Sequence, residues 1–197
     1  GAGAAARRRA VGRGGGLARI NRMEAGIWNV FVNLEKNDCL ARFLGTVSSG
    51  RVAACLLSYW SYSEANTGVS TGLKRARDEF SEVAARGSKP DLIIEAEGKL
   101  IWIEAKLGSP NETVPKDRGN TKKYLSGGDA WFRRAFVSDY EAVALTAKRY
   151  ELMRLWLRGN WIAQETGKEF RLRNLVREQR STELVRAHLA PMPKSNF

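Results

Sequence analysis

The chain has 197 residues, enough for one domain with its own core, and its 43% hydrophobic and 27% charged residues suit a globular protein. It carries 33 Lys and Arg against 21 Asp and Glu, a net charge of +12 that favours a polyanionic partner, nucleic acid ahead of a membrane surface. One histidine (His188) and two unpatterned cysteines (Cys39, Cys55) exclude a Cys/His zinc centre, histidine-rich nuclease chemistry and a disulfide framework. The same cysteine usage makes a reducing cytoplasm the expected compartment. No apolar run approaches the roughly 18 residues of a membrane span. Chemistry, if the chain performs any, falls to carboxylates, Lys, Arg, Tyr or Ser, with a hard metal as the natural assistant.

Residues 1–19 are Gly/Ala/Arg-rich and hold five of the positive charges (Arg7, Arg8, Arg9, Arg13, Arg19) with no acid, so they read as a flexible basic tail. Residues 20–180 read as a single domain and 181–197 as a C-terminal tail. Apolar residues at mixed three and four spacings predict helices over 27–44 and 50–63. The link Gly45-Thr-Val-Ser-Ser-Gly50 reads as a loop. It nearly spells a P-loop, but Arg51-Val52 stands where Lys-Ser/Thr is needed, and no strand feeds it, so nucleotide binding is rejected there. Residues 64–77 read as a polar loop around Gly68 and Gly72, and 79–86 suit either a short strand or a helical turn. Two β-rich runs flanking Glu97-Gly98-Lys99 predict a tight hairpin over 90–107. Residues 108–129 form a long basic excursion. Val143, Ala147, Tyr150, Met153, Leu157 and Trp161 recur at helical spacing and predict one long helix over 139–165, stopped by Gly167. A final strand over 170–176 alternates Phe170, Leu172, Asn174 and Val176 with a basic face of Arg171, Arg173 and Arg177.

A two-residue turn at Glu97-Gly98 pairs Ala96 with Lys99, Ile94 with Ile101 and Asp91 with Glu104. Alternation then sends Leu92, Ile94, Ile101 and Ile103 to one face and Asp91, Ile93, Trp102, Glu104 and Lys106 to the other. Directly opposed residues have Cβ atoms about 4.5–5.5 Å apart, and like charges so placed repel. Lys106, a shared proton or a divalent cation would relieve that repulsion. Mg²⁺ takes oxygen ligands, needs only one or two carboxylates, and activates bound water toward a phosphoryl group. Lys106 beside it is placed to orient or deprotonate the attacking water.

Pro90-Asp91 followed by Glu104-Ala105-Lys106 resembles the PD-(D/E)xK nuclease superfamily. The element order over 27–177 matches that family's α/β fold, a restriction-endonuclease-like αβββαβ core with a mixed central sheet flanked by helices. The segments YELMRLWL (Tyr150–Leu157) and FRLRNLV (Phe170–Val176) are similar to the region after the motif in restriction-endonuclease-like members. The resemblance implies Mg²⁺-dependent cleavage of DNA, with Mn²⁺ as a substitute ion, in restriction, defence or repair. It implies Asp91, Glu104 and the main-chain carbonyl of Ala105 as metal ligands, and Lys106 as the water-orienting base. Many members add an acid from the first helix, for which Glu35, Asp38 and Glu64 are the candidates. Enzymes of this type often dimerise to cut both strands, so a homodimer is a further expectation.

Lys116, Arg118, Lys122, Lys123, Arg133 and Arg134 form the candidate phosphate-contacting patch, with DNA ahead of RNA as partner. Trp28, Trp156 and Trp161 are expected in the core, Trp102 on the face of Glu104, and Tyr150 and Arg154 are candidates to face the site from the long helix. Two rival readings stay open: a catalytically inactive nucleic-acid-binding protein on the same scaffold, and a basic subunit that meets a protein partner through tryptophan-rich helices.

Overall fold

The computed structural model describes residues 22–37, 39–48, 55–59, 62–63, 68–69, 71–82, 88–96, 98–106, 111–116, 124 and 129–176. The expected tails 1–19 and 181–197 lie outside these residues. The architecture is mixed α/β: a six-stranded mixed sheet with helices on both faces. In chain order it runs α1 (Arg22–Lys36), α2 (Leu40–Ser48), β1 (Cys55–Tyr59), β2 (Tyr62–Ser63), β3 (Gly68–Val69), α3 (Thr71–Glu79), β4 (Leu92–Ala96) and β5 (Lys99–Lys106). Then follow α4 (Asp129–Ala135), a π-helical turn (Glu141–Thr146), α5 (Tyr150–Glu165) and β6 (Glu169–Val176). The strand order is β3-β2-β1-β4-β5-β6, antiparallel throughout except for β6, which joins β5 in parallel.

The hairpin forms as its alternation dictates. Leu92↔Ile103, Ile94↔Ile101 and Ala96↔Lys99 are the observed pairs, and Gly98 at φ 65° supplies the left-handed residue of the turn. Leu92, Ile94, Ile101 and Ile103 pack under Phe31 of α1 and Phe43 and Leu44 of α2. Ile93, Leu100 and Trp102 pack under Leu73 and Ala76 of α3 and Leu152, Leu155 and Ile162 of α5. Both faces are therefore covered. Trp102 is fully buried, so it is a core residue with its ring 5.5 Å from Phe170 and not a platform for bases. Phe170 also meets Trp156 at 5.5 Å, and its ring lies where a Cβ on Gly159 would stand, so that position of α5 must lack a side chain.

Four expected elements are corrected. The helix over 27–44 breaks at Asn37–Cys39, and α2 continues through the supposed loop at Gly45. In place of the helix expected over 50–63, the described residues form β1 and β2: Cys55–Tyr59 pairs along its whole length with β4, and that tertiary pairing overrides the helical spacing. The loop over 64–77 gives way to β3 and the start of α3, whose buried Leu73, Ala76 and Arg77 stand at helical spacing, with buried Phe80 just after the helix end. The single helix over 139–165 is broken. The π-helical turn closes with the Ala147 N–H bonded to Ala142 O and the Arg149 N–H to Val143 O, and Lys148 turns the chain at φ 53° before α5 begins.

Candidate active site

Asp91 stands one residue ahead of β4, and the register carries on so that it faces the Glu104–Ala105 end of β5. The Ala105 N–H donates to Asp91 Oδ2 at 2.8 Å, which fixes that carboxylate across the hairpin. From β5, Glu104 and Lys106 project toward α5. Lys106 Nζ lies 2.7 Å from Glu104 Oε1 and 2.8 Å from Glu151 Oε2. Asp91, Glu104, Lys106 and Glu151 thus gather at the N-terminal end of α5, over the mouth of the hairpin.

The surroundings are tense for a carboxylate. Glu104 is 3% exposed, and its Oε2 is buried with no hydrogen-bond partner among the described residues. Burial, then the charge of Asp91, push its carboxyl up to about 8, against the opposing pull of Lys106. Burial disfavours the Lys106 charge, but Glu104 and Glu151 outweigh it and hold the ammonium protonated well above the usual lysine range. Lys106 is therefore a hydrogen-bond donor and a positive charge here.

These shifts fix a pH dependence. A carboxyl raised in the fold contributes stability below its unfolded value of about 4.5, and that contribution is lost as pH rises through about 8. Thermal melts in EDTA should show this falling stability between pH 5 and 8, and Glu104→Gln should flatten the slope.

The remaining predicted residues separate. Glu35 is exposed on α1 and raises the Tyr59 hydroxyl, second to burial, so it sits by the sheet face opposite Glu104. Asp38 and Glu64 lie outside the described residues. Among the described residues a further acid reaches the site from a later helix, Glu151 of α5. Tyr150 packs edge-on to Tyr124, and Arg154 grips Glu82 through two hydrogen bonds of 2.8 and 2.7 Å. Lys116 is exposed on the loop joined to the start of α5. Arg133 and Arg134 are exposed on α4, and Arg134 bonds Gln164 at 3.0 Å and lies over the Trp131 ring. Gln164 is near the far end of α5, about 20 Å along the axis from Glu151, so Arg134 stands away from the hairpin carboxylates. Arg118, Lys122 and Lys123 lie outside the described residues.

Glu151 escaped the strand-based reading, yet it carries a signal. It heads the stripe Glu151, Leu155, Arg158, Ile162, whose other members are buried, and an acid on a buried stripe needs a partner. No family model, no curated protein and no solved structure matches this chain.

Proposed function

We propose that this chain is a metal-dependent nuclease of PD-(D/E)xK type that hydrolyses phosphodiester bonds in DNA. The observation that carries the reading is the buried Glu104 oxygen with no partner, beside a second carboxylate that repels it. Below about pH 8 a proton relieves this carboxyl in the metal-free fold, and a divalent cation is a partner that could take the proton's place. Among the described residues no group of three or more His, Cys, Asp or Glu is arranged to hold a metal. Mg²⁺ asks for less, because it binds through one or two carboxylates and keeps water and substrate oxygens in its other positions. Asp91, Glu104 and the carbonyl of Ala105 would hold it.

The connectivity supports the same family reading. Helices α1 and α2 precede the meander β1-β4-β5, and α5 then leads to β6 beside β5 in parallel, as in a restriction-endonuclease-like core. The bound ion would supply Lewis acidity and a lowered pKa for coordinated water. The chain supplies the rest. Asp91 is fixed by the Ala105 N–H, and Lys106 stays protonated and aims its hydrogen bonds at the attacking water or a phosphoryl oxygen. Substrate phosphates are drawn by the net charge of +12.

The test compares wild type with Lys106→Ala on duplex DNA, scoring binding and cleavage separately. The nuclease reading expects Lys106→Ala to lose about 10²–10³ in cleavage rate while keeping its DNA affinity. Wild type that binds DNA tightly and cuts none in Mg²⁺ or Mn²⁺ establishes the inactive binding protein instead.

A further inference from the structure

We infer that Glu151 is the positioning residue of the site, holding the Lys106 ammonium in place, and that Thr113 holds Glu151 in turn. The inference rests on the nuclease reading above and adds to it a residue outside the motif. Lys106 has two carboxylate partners, Glu104 Oε1 at 2.7 Å and Glu151 Oε2 at 2.8 Å. Glu104 has a second duty as metal ligand, so its hold on Lys106 weakens when its charge is shared. Glu151 keeps the ammonium at the same spot through its own 2.8 Å contact.

The placement of Glu151 is built from outside its own helix. Arg149, at the N-cap of α5, makes no side-chain cap. Thr113 supplies one instead: its Oγ1 accepts the Glu151 N–H at 2.8 Å and its carbonyl accepts the Tyr150 N–H at 3.2 Å. The Thr113 N–H donates to Lys148 O at 2.7 Å, so residue 113 is laced to 148–151 by three hydrogen bonds. Capping of this kind satisfies otherwise orphaned amides of the first turn, and an acid there is favoured by the helix dipole. The loop after the hairpin therefore sets the helix start that sets the lysine.

The experiment measures single-turnover cleavage, DNA affinity and thermal stability for Glu151→Gln, Glu151→Ala, Thr113→Val and Thr113→Ser. Outer partners of a metal site are worth about 10–100-fold in activity, so Glu151→Ala should lower the cleavage rate by that factor with DNA affinity unchanged. Glu151→Gln keeps shape and removes charge, and should fall in the same direction with its melting temperature retained. Thr113→Val should lower the rate and Thr113→Ser should restore it, a pattern that a general loss of stability would not give. If wild type and Glu151→Ala cleave alike while Lys106→Ala is inactive, the role of Glu151 is overturned and the nuclease reading stands. If wild type cuts nothing, the nuclease reading falls and this role falls with it.

Discussion

Glu82→Ala is expected to cost the fold about 3–5 kcal/mol, the penalty for removing one partner from a buried ion pair. Glu82 is 6% exposed and takes two hydrogen bonds from Arg154, one from Arg158 at 3.0 Å and one from the Tyr124 hydroxyl at 2.6 Å. Arg158 is wholly buried, so without Glu82 two guanidinium groups are left in the interior with no anion between them. A domain of this size loses roughly 2–4 °C of melting temperature per kcal/mol, so a drop of roughly 6–20 °C is the expected result in a thermal scan. Burial alone would raise the Glu82 carboxyl, but Arg154, Arg158 and Tyr124 together hold it down at about 2. Its contribution is therefore complete above the ordinary carboxylate value near 4.5 and is lost as pH falls toward 2. The damage should also reach the site, because Arg158 donates to both the carbonyl and the hydroxyl of Ser88, three residues ahead of Asp91.

Asp91→Asn should give the opposite signature: cleavage falls by about a thousandfold while the metal-free protein is at least as stable as wild type. The amide oxygen of the substituted side chain can still accept the Ala105 N–H, so the hairpin contact survives. What disappears is the negative charge facing the buried Glu104, and with it a repulsion that the metal-free fold bears. Melts in EDTA beside single-turnover cleavage in Mg²⁺ read both quantities. A variant that loses stability and activity together would mean that Asp91 serves the fold and not a reaction. The contrast between Glu82 and Asp91 separates a carboxylate that stabilises the molecule from one kept in spite of its cost.

The hairpin was legible because every determinant of its register is local. Alternating apolar residues choose the faces, Gly98 permits the turn, and the pairing of Ile94 with Ile101 then places Asp91 opposite Glu104. Segments whose structure depends on distant partners were not legible. Cys55–Tyr59 has the spacing of a helix but takes the open edge of β4, and Leu56, which a helix would have buried, is left 38% exposed. The break ahead of α5 comes from Thr113, more than thirty residues earlier in the chain, which bonds to Lys148, Tyr150 and Glu151. Helical periodicity in 139–165 continues across that break, so no pattern within the segment marks it. Three residues of the candidate site, Asp91, Glu104 and Lys106, lay in one motif. Glu151 and its supporting loop are assembled by packing a crossover helix against the sheet.

Incubation of wild-type protein with supercoiled plasmid in Mg²⁺ or Mn²⁺, beside an EDTA control, decides whether the chain cuts DNA. A metal-dependent nuclease gives nicked or linear product with either metal and intact plasmid in EDTA. Intact plasmid under all three conditions, with single-stranded DNA and RNA equally untouched by protein in molar excess, would contradict the nuclease reading.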